Sequence, residues 1–331
     1  MQNSERVLTK ILREVCEEQG VAVRAFSADW IFHLSRADTV RYVFGYDFDL
    51  NPCTAQLIAK DKSATSDILG LKQIPRVEHQ LFHKPEMKAY IPHTGNWQAI
   101  LAYAQGHGFD VVCKPNSGTG GADVLRARNV VDLEQVVHAL FAKYRSICLS
   151  PFAAIEQEYR VIILRSECVL SYLKLRPSII GDGVKTKCDL IADFIRSAQG
   201  STVEWPLEKD EDDSGLTLND VVPAGIRIHL SWRHNLGQGS TLRLVGPDTR
   251  SDLGLDQLAL RAARAIGLQV GAVDLVQTTE GLQVLEINSG LMMERFARLA
   301  ADGYRSAKWV YSRIISEMFA LRTDSETNYR R

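Results

Sequence analysis

The stretch VDLVQTTEGLQVLEINSG, residues 273–290, decides the reading of this chain. It is mostly apolar, yet it carries carboxylates at Asp274 and Glu286 and an amide at Asn288. It reads as two strands joined at TTEG. Side chains alternate along a strand, so Glu286 and Asn288 share one face. Asp274, on the partner strand, reaches the same space if it lies near them across the hairpin. Buried carboxylates are costly unless something offsets their charge. Two offsets are open: core salt bridges to Arg or Lys, or a hard divalent cation, which carboxylate and amide oxygens suit.

A second stretch, KPNSGTGGADV at 114–124, bears on that choice. Consecutive small residues let backbone N–H groups face an anion. The lysine that ends the preceding strand adds a point charge for phosphate oxygens. The run is not a Walker A loop, because the lysine precedes the glycines and no Gly-Lys-Ser/Thr closes it. Nor is it GxGxxG, since Asp123 stands where the third glycine belongs. The plain alternative is a hairpin turn. Taken with the acidic strand pair, the phosphate reading gains, because nucleotide sites need both an anion cradle and a cation.

Bulk properties bound the rest. The 331 residues suffice for two or three domains. Hydrophobic content of 45% and charged content of 24% are ordinary for a soluble globular protein. Lys and Arg (39) nearly balance Asp and Glu (40), so no global charge argues for nucleic acid or an acidic membrane. The six cysteines (Cys16, Cys53, Cys113, Cys148, Cys168, Cys188) form no CxxC pair and read as reduced, buried thiols. No apolar run reaches transmembrane length and the N-terminus has no signal-peptide core, so a cytoplasmic protein is expected.

Periodicity predicts helices over 4–19, 97–106, 132–144, 188–199, 251–266 and 305–321, and a helix or broken helix over 54–69. Strands are expected at VAVRAF, in RYVFGYDFDLNP, on both sides of the Gly-rich turn, at SICLSPF, as a hairpin in EYRVIILRSECVLSYLKLRP, and at IRIHLSW. Helices alternating with antiparallel strand pairs suggest α+β modules around antiparallel sheets. The polar run at 201–215 reads as a surface loop and 323–331 as a frayed tail.

Six stretches, in order, carry a resemblance. They are IAKDKSATSDIL, VVCKPNSGTGG, EYRVIIL, IIGDGVKTKCDLI, VVPAGIRIHLSWRHNLGQGS and VDLVQTTEGLQVLEINSG. Over about 41–296 the chain resembles ATP-grasp carboxylate–amine ligases, in the branch of cyanophycin synthetase, the ATP-grasp part of bifunctional glutathione synthetase and the ribosomal-protein glutamate ligase. The resemblance implies two α+β subdomains gripping ATP. It implies a short N-terminal α/β domain over 1–58, a central subdomain over 59–148 and a C-terminal subdomain over 149–322.

The resemblance also implies roles. Lys62 and Lys114 match lysines that hold ATP phosphates, and Gly118, Thr119, Gly120 and Gly121 lie in the loop that closes over them. Leu149, Ser150 and Phe152 fall on the hinge whose backbone reads adenine, although Pro151 there lacks an N–H. Glu158 falls where an acid holds the ribose hydroxyls. Arg160 and Arg233 match arginines that face the transferring phosphate or a substrate carboxylate, and Asn235 stands beside the phosphates. Asp274, Glu286 and Asn288 match ligands of Mg²⁺, with Mn²⁺ as the alternative ion. The hinge here is LSPF where relatives often have Glu-Tyr or Glu-Phe, and NSGLMMERFA replaces the Asn-x-x-Pro-Gly that often follows the metal strand.

The implied reaction is amide formation through an acyl phosphate, with release of ADP and phosphate. The implied partners are small-molecule or peptide carboxylate and amine substrates, without nucleic acid or membrane. Relatives' assemblies imply a homodimer or homotetramer. A peptide- or protein-modifying ligase, a non-catalytic ATP-binding regulator and a kinase remain the rivals. His83, His93 and His234 show no metal or triad spacing and read as surface or core histidines. Met292 and Met293 read as core or pocket lining, and EKDEDDSG as a solvated loop.

Overall fold

In the computed structural model, residues 5–91, 97–118, 120–197 and 214–320 are described. Thr119, His93, nearly all of the acid-rich run and the 323–331 tail lie outside them. The chain opens with α1 (Val7–Glu18), whose Leu8, Ile11, Leu12 and Val15 recur at helical spacing and are buried. The first amides of a helix have no partner within it. Here the Glu294 carboxylate supplies one, accepting from Val7 N at 2.8 Å and Leu8 N at 3.1 Å.

A four-stranded antiparallel meander follows: β1 (Ala22–Phe26), β2 (Ile31–Arg36), β3 (Thr39–Phe44) and β4 (Asp47–Phe48). Strand β2 is missing from the expectations above, although IFHLSR alternates buried Phe32 and Leu34 with less buried His33 and Ser35. The broken helix is α2 (Cys53–Ala59) and α3 (Lys62–Leu71). Asp61 restarts it, its carboxylate accepting from Ala64 N at 2.8 Å.

A second four-stranded sheet has the order β5-β8-β6-β7, from β5 (Gln80–His83), β6 (Val111–Pro115), β7 (Leu125–Ala127) and β8 (Ser146–Pro151). Helices α4 (Trp97–Gly106) and α5 (Val130–Lys143) pack on one face, where Val111, Cys113, Ile147 and Leu149 join Ile100, Leu133 and Val137 in a core. Alternation sends Lys114, Cys148 and Ser150 to the opposite face.

The largest sheet has the order β13-β10-β9-β14-β15. Strands β9 (Gln157–Leu164) and β10 (Glu167–Leu175) form the expected hairpin. A ribbon of β11 (Ser178–Ile180) and β12 (Arg227–His229) lies with α6 (Lys187–Ser197), before β13 (Thr241–Leu244). The helix expected over 251–266 is two helices, α7 (Pro247–Asp252) and α8 (Leu255–Ile266), divided where Gly254 turns left-handed at φ 70°. Strands β14 (Val270–Thr278) and β15 (Gly281–Asn288) complete the sheet, and α9 (Glu294–Leu299) and α10 (Gly303–Ala320) close the described chain.

The two faces of this sheet differ. On one, Tyr159, Val161, Ile163, Leu173, Val273, Leu275 and Ile287 pack against α8. On the other, Ile162, Leu164, Tyr172, Val270 and Ala272 share a core with α1, the N-terminal meander and α10. Farther along that second face the side chains are charged: Glu158, Arg160, Lys174 and Asp274. The first 58 residues thus have no separate core; the two ends of the chain make one packed unit with the sheet. All six cysteines are unpaired, and Cys53 and Cys188 are exposed rather than buried. Among the described residues, no helix is long and apolar enough to cross a membrane.

Asn51 staples the N-terminal segment to the start of β14. Its Oδ1 accepts from Gln269 N at 2.7 Å and Val270 N at 2.9 Å, and its Nδ2 donates to Val270 O at 2.7 Å. Asn51→Ala orphans buried backbone groups, so we expect a loss of about 2–4 kcal/mol, read as an earlier urea midpoint.

Candidate active site

The hairpin quoted first pairs Asp274 with Glu286 and Ala272 with Asn288 in direct register. A bulge makes this possible. Leu275 pairs with Val284 and Asp274 with Glu286, so Leu285 has no opposite number. The extra residue shifts the phase: Val284 and Ile287 both reach the α8 core, while Glu286 faces across to Asp274. Gly271 lets the strands close, since a Cβ there would lie 2.3 Å from Asn288 O.

Asp274 is 1% exposed. Arg160 Nε donates to its Oδ1 at 2.7 Å and Arg160 Nη2 to its Oδ2 at 2.6 Å. Lys174 Nζ lies 3.1 Å from the same Oδ2 and 2.5 Å from Glu158 Oε1. Register explains the grouping: Arg160 stands opposite Asp274, and Glu158 opposite Lys174. Burial alone would raise the Asp274 carboxyl, but Arg160 and Lys174 reverse that and hold it well below the usual carboxylate range. Burial lifts Glu158 above its ordinary value against the pull of Lys174.

Of the two offsets left open by the sequence, the structure contains the ion pairs. Among the described residues, no three His, Cys, Asp or Glu side chains gather as a ready metal site. The donors that suit a hard cation are Glu286, the neighbouring Asn288, whose Nδ2 donates to Glu286 Oε1 at 3.2 Å, and one edge of Asp274. They fit an ion that arrives with phosphate oxygens to complete its shell, and they do not make a preformed cage.

Glu158, which the resemblance matches to an acid that holds the ribose hydroxyls, sits in a buried ion pair. Its carboxylate is buried, held by Lys174, with His234 Nδ1 at 3.7 Å from Oε2. Burial, with Arg176 and Lys174 adding, pushes His234 down to about 3, so the imidazole is neutral near pH 7 and this approach is not an ion pair.

The lysines and the Gly-rich loop converge from other elements. Asn116 brackets the start of α3: its carbonyl accepts from Lys62 N at 3.1 Å and its side-chain Oδ1 from Ser63 N at 3.1 Å. Lys62 Nζ then reaches Gly118 O at 3.0 Å. Asn235 Nδ2 reaches Gly120 O at 2.5 Å, while its Oδ1 accepts from Gly237 N at 2.8 Å. Gly121 sits at φ 68°, and a Cβ there would lie 2.5 Å from Asn235 Nδ2. Burial pushes the Lys114 ammonium down, with Lys62 adding to it, while Cys148, Glu286 and Glu158 act in the opposite sense. Lys114 therefore feels both the acidic sheet face and the other lysine.

At the hinge, the Leu149 side chain is in the core and Ser150 is buried. Phe152 N donates to Asp110 O at 2.9 Å. The Phe152 ring meets Trp232 edge-on at 5.5 Å and lies 3.2 Å from the Arg126 guanidinium. Arg233 is placed beside these aromatics, 5.3 Å from the Trp232 ring.

Sequence reasoning missed Lys174 and set His234 aside as bland. The signal for Lys174 was present, because alternation in SYLKL puts it on the face opposite Leu173.

Asp274→Ala strips two buried cations of a counter-charge and is expected to cost about 3–5 kcal/mol in the ligand-free protein. The folded pKa is depressed, so this stability is full above the unfolded value, near about pH 4, and is lost as pH falls through the folded value. Urea midpoints of wild type and variant should differ most near neutrality and converge in acid.

Residues 174–302 match the RimK-like ATP-grasp domain. The chain is 26% identical over 196 residues to the glutathione biosynthesis bifunctional protein GshAB of Streptococcus agalactiae, covering 55% of this chain and 26% of that protein. It is 23% identical over 311 residues to the cyanophycin synthetase of Nostoc, covering 90% of this chain and 32% of that one. The chain thus spans only about a quarter to a third of these relatives. The solved bifunctional glutathione synthetase of Pasteurella multocida has a similar fold, with TM-score 0.56, 18% identity, and coverage of 94% of this chain and 44% of that one. The match over residues 174–302 and the fold shared along nearly the whole chain make ATP-grasp proteins what this chain is similar to.

Proposed function

We propose that the protein is an ATP-dependent carboxylate–amine ligase that joins an amino acid or small peptide to an amine through an acyl phosphate. The observation that carries this reading is that Lys62 holds the Gly-rich loop at Gly118 O while the neighbouring Lys114 ammonium feels both Lys62 and the acidic face, through Glu286 and Glu158. Lys62 and Lys114 bring positive charge to where phosphate oxygens would lie, in a site where burial strengthens each interaction. Asn235 and Lys62 hold the Gly-rich loop by its carbonyls, which positions it as a cover that excludes water from a reactive acyl phosphate. Arg160, fixed by two bonds to Asp274, presents a rigid cation toward the transferring group.

A divalent ion held by Glu286, Asn288 and Asp274 would supply further neutralisation of phosphate charge. The backbone of Leu149 and Ser150, with the Phe152 ring, forms the hinge side where the base would rest. Holding acid and amine together then gives the second step a large effective molarity.

The test is a hydroxylamine trap: protein, ATP, Mg²⁺, hydroxylamine and single carboxylates drawn from amino acids, short peptides and metabolic acids. One acid should give hydroxamate together with ADP, and Glu286→Ala and Lys114→Ala should each lower the rate by at least about 100-fold while keeping the native circular dichroism. ATP binding without ADP or hydroxamate across the panel would overturn the small-acid reading and favour a peptide-modifying or regulatory protein.

A further inference from the structure

Lys174 is absent from the site that the sequence suggested, yet it is the cation through which two buried carboxylates meet. It is 7% exposed. An ammonium has three donors and no acceptor, so it needs acceptors around it when buried. Here they are Glu158 Oε1 at 2.5 Å and Asp274 Oδ2 at 3.1 Å. Asp274 Oδ2 also accepts from Arg160 Nη2 at 2.6 Å. A carboxylate oxygen offers about two lone-pair sites, so Lys174 and Arg160 together fill this atom.

The two cations are not equivalent. Both of Arg160's bonds to a carboxylate go to Asp274. Lys174 is shared between Asp274 and its cross-strand neighbour Glu158, and the Glu158 contact is the shorter one. Lys174 can therefore give up Asp274 without being left unpaired in a dry site, at a far smaller cost than Arg160 would incur.

We propose that Lys174 is the resident counter-cation of the metal site: it neutralises Asp274 in the ion-free protein, competes with the incoming divalent ion for Oδ2, and falls back onto Glu158 when the ion binds. This rests on the reading that Asp274, Glu286 and Asn288 face a divalent ion. It makes Lys174 a positioning residue that sets metal affinity, and Glu158 the group that receives it.

The experiment measures Mn²⁺ binding to the full chain by electron paramagnetic resonance, with a non-hydrolysable ATP analogue and no turnover. Lys174→Met removes the charge while keeping the length of the side chain, and Lys174→Arg keeps the charge. We expect Lys174→Met to bind Mn²⁺ about tenfold more tightly than wild type and Lys174→Arg to stay close to wild type. A merely structural role predicts the reverse, since damage to the site weakens binding. Equal or weaker binding by a natively folded Lys174→Met overturns the inference alone. Failure of the wild type to bind Mn²⁺ overturns the metal reading beneath it. If Lys174→Met does not fold, Glu158→Gln/Lys174→Met removes both partners of the buried pair and serves in its place, with the same outcomes decisive.

Discussion

The constraint on which the site depends is the buried carboxylate of Asp274. It lies on the fourth strand of a five-stranded sheet, at a depth where an isolated charge would be prohibitive. The sheet meets this with cross-strand neighbours. Arg160 stands opposite on β9, and Lys174 reaches in from β10 past Glu158. Two cations and two carboxylates thus pair within one layer, and Glu286 adds a third carboxylate on the same face. Such a layer contributes little net stability compared with an apolar one. Its persistence in a sheet that is otherwise well packed points to a use for the charges rather than to a need of the fold.

The placement of that layer follows from what covers the sheet. The α8 face is mostly apolar. The opposite face is covered at one end by the meander, α1, α9 and α10. Where that cover ends, the same alternation that buried Ile162, Tyr172 and Ala272 presents Arg160, Lys174 and Asp274. The boundary between core and site is therefore a boundary of coverage, written into single strands as a change from apolar to charged residues at constant parity. Lys114 arises in the same way on the second sheet, on the face away from α4 and α5.

This is why much of the fold was legible in the sequence. Period-2 and period-3.6 patterns marked the strands of the site and most helices, while β2, β5, β11, β13 and α9 went unmarked, and the acids of 273–290 announced a polar face inside an apolar hairpin. Other features lay beyond local reading. The bulge at Leu285 has no residue signature, since it is forced by pairing rather than by composition, yet it decides that Glu286 meets Asp274. Lys174 was overlooked because its partners are distant in sequence, and a lysine in a strand reads as solvated until the neighbouring strand is known. The burial of Glu158 was hidden for the same reason, and a role carried over from similarity did not register that its carboxylate is committed to Lys174. Gly254 divides what periodicity showed as one helix because a left-handed turn can fall in phase with the apolar repeat.

The loop contacts add a last step. Lys62 and Asn235 hold the Gly-rich segment from two elements, one from the start of α3 and the other from the turn before β13. Both bonds go to loop carbonyls, so neither consumes the backbone N–H groups that an anion would need. Each latch also lies within two residues of another candidate group: Lys62 is fixed by Asn116, which follows Lys114 by two, and Asn235 adjoins His234 beside Glu158. The two latches therefore join the loop to the lysines through Asn116 and to the neighbourhood of the Glu158–Lys174 pair through His234. Lys174, Glu158, His234 and Asn235 thus form a run of neighbours, in sequence or in space, between Asp274 and the Gly-rich loop.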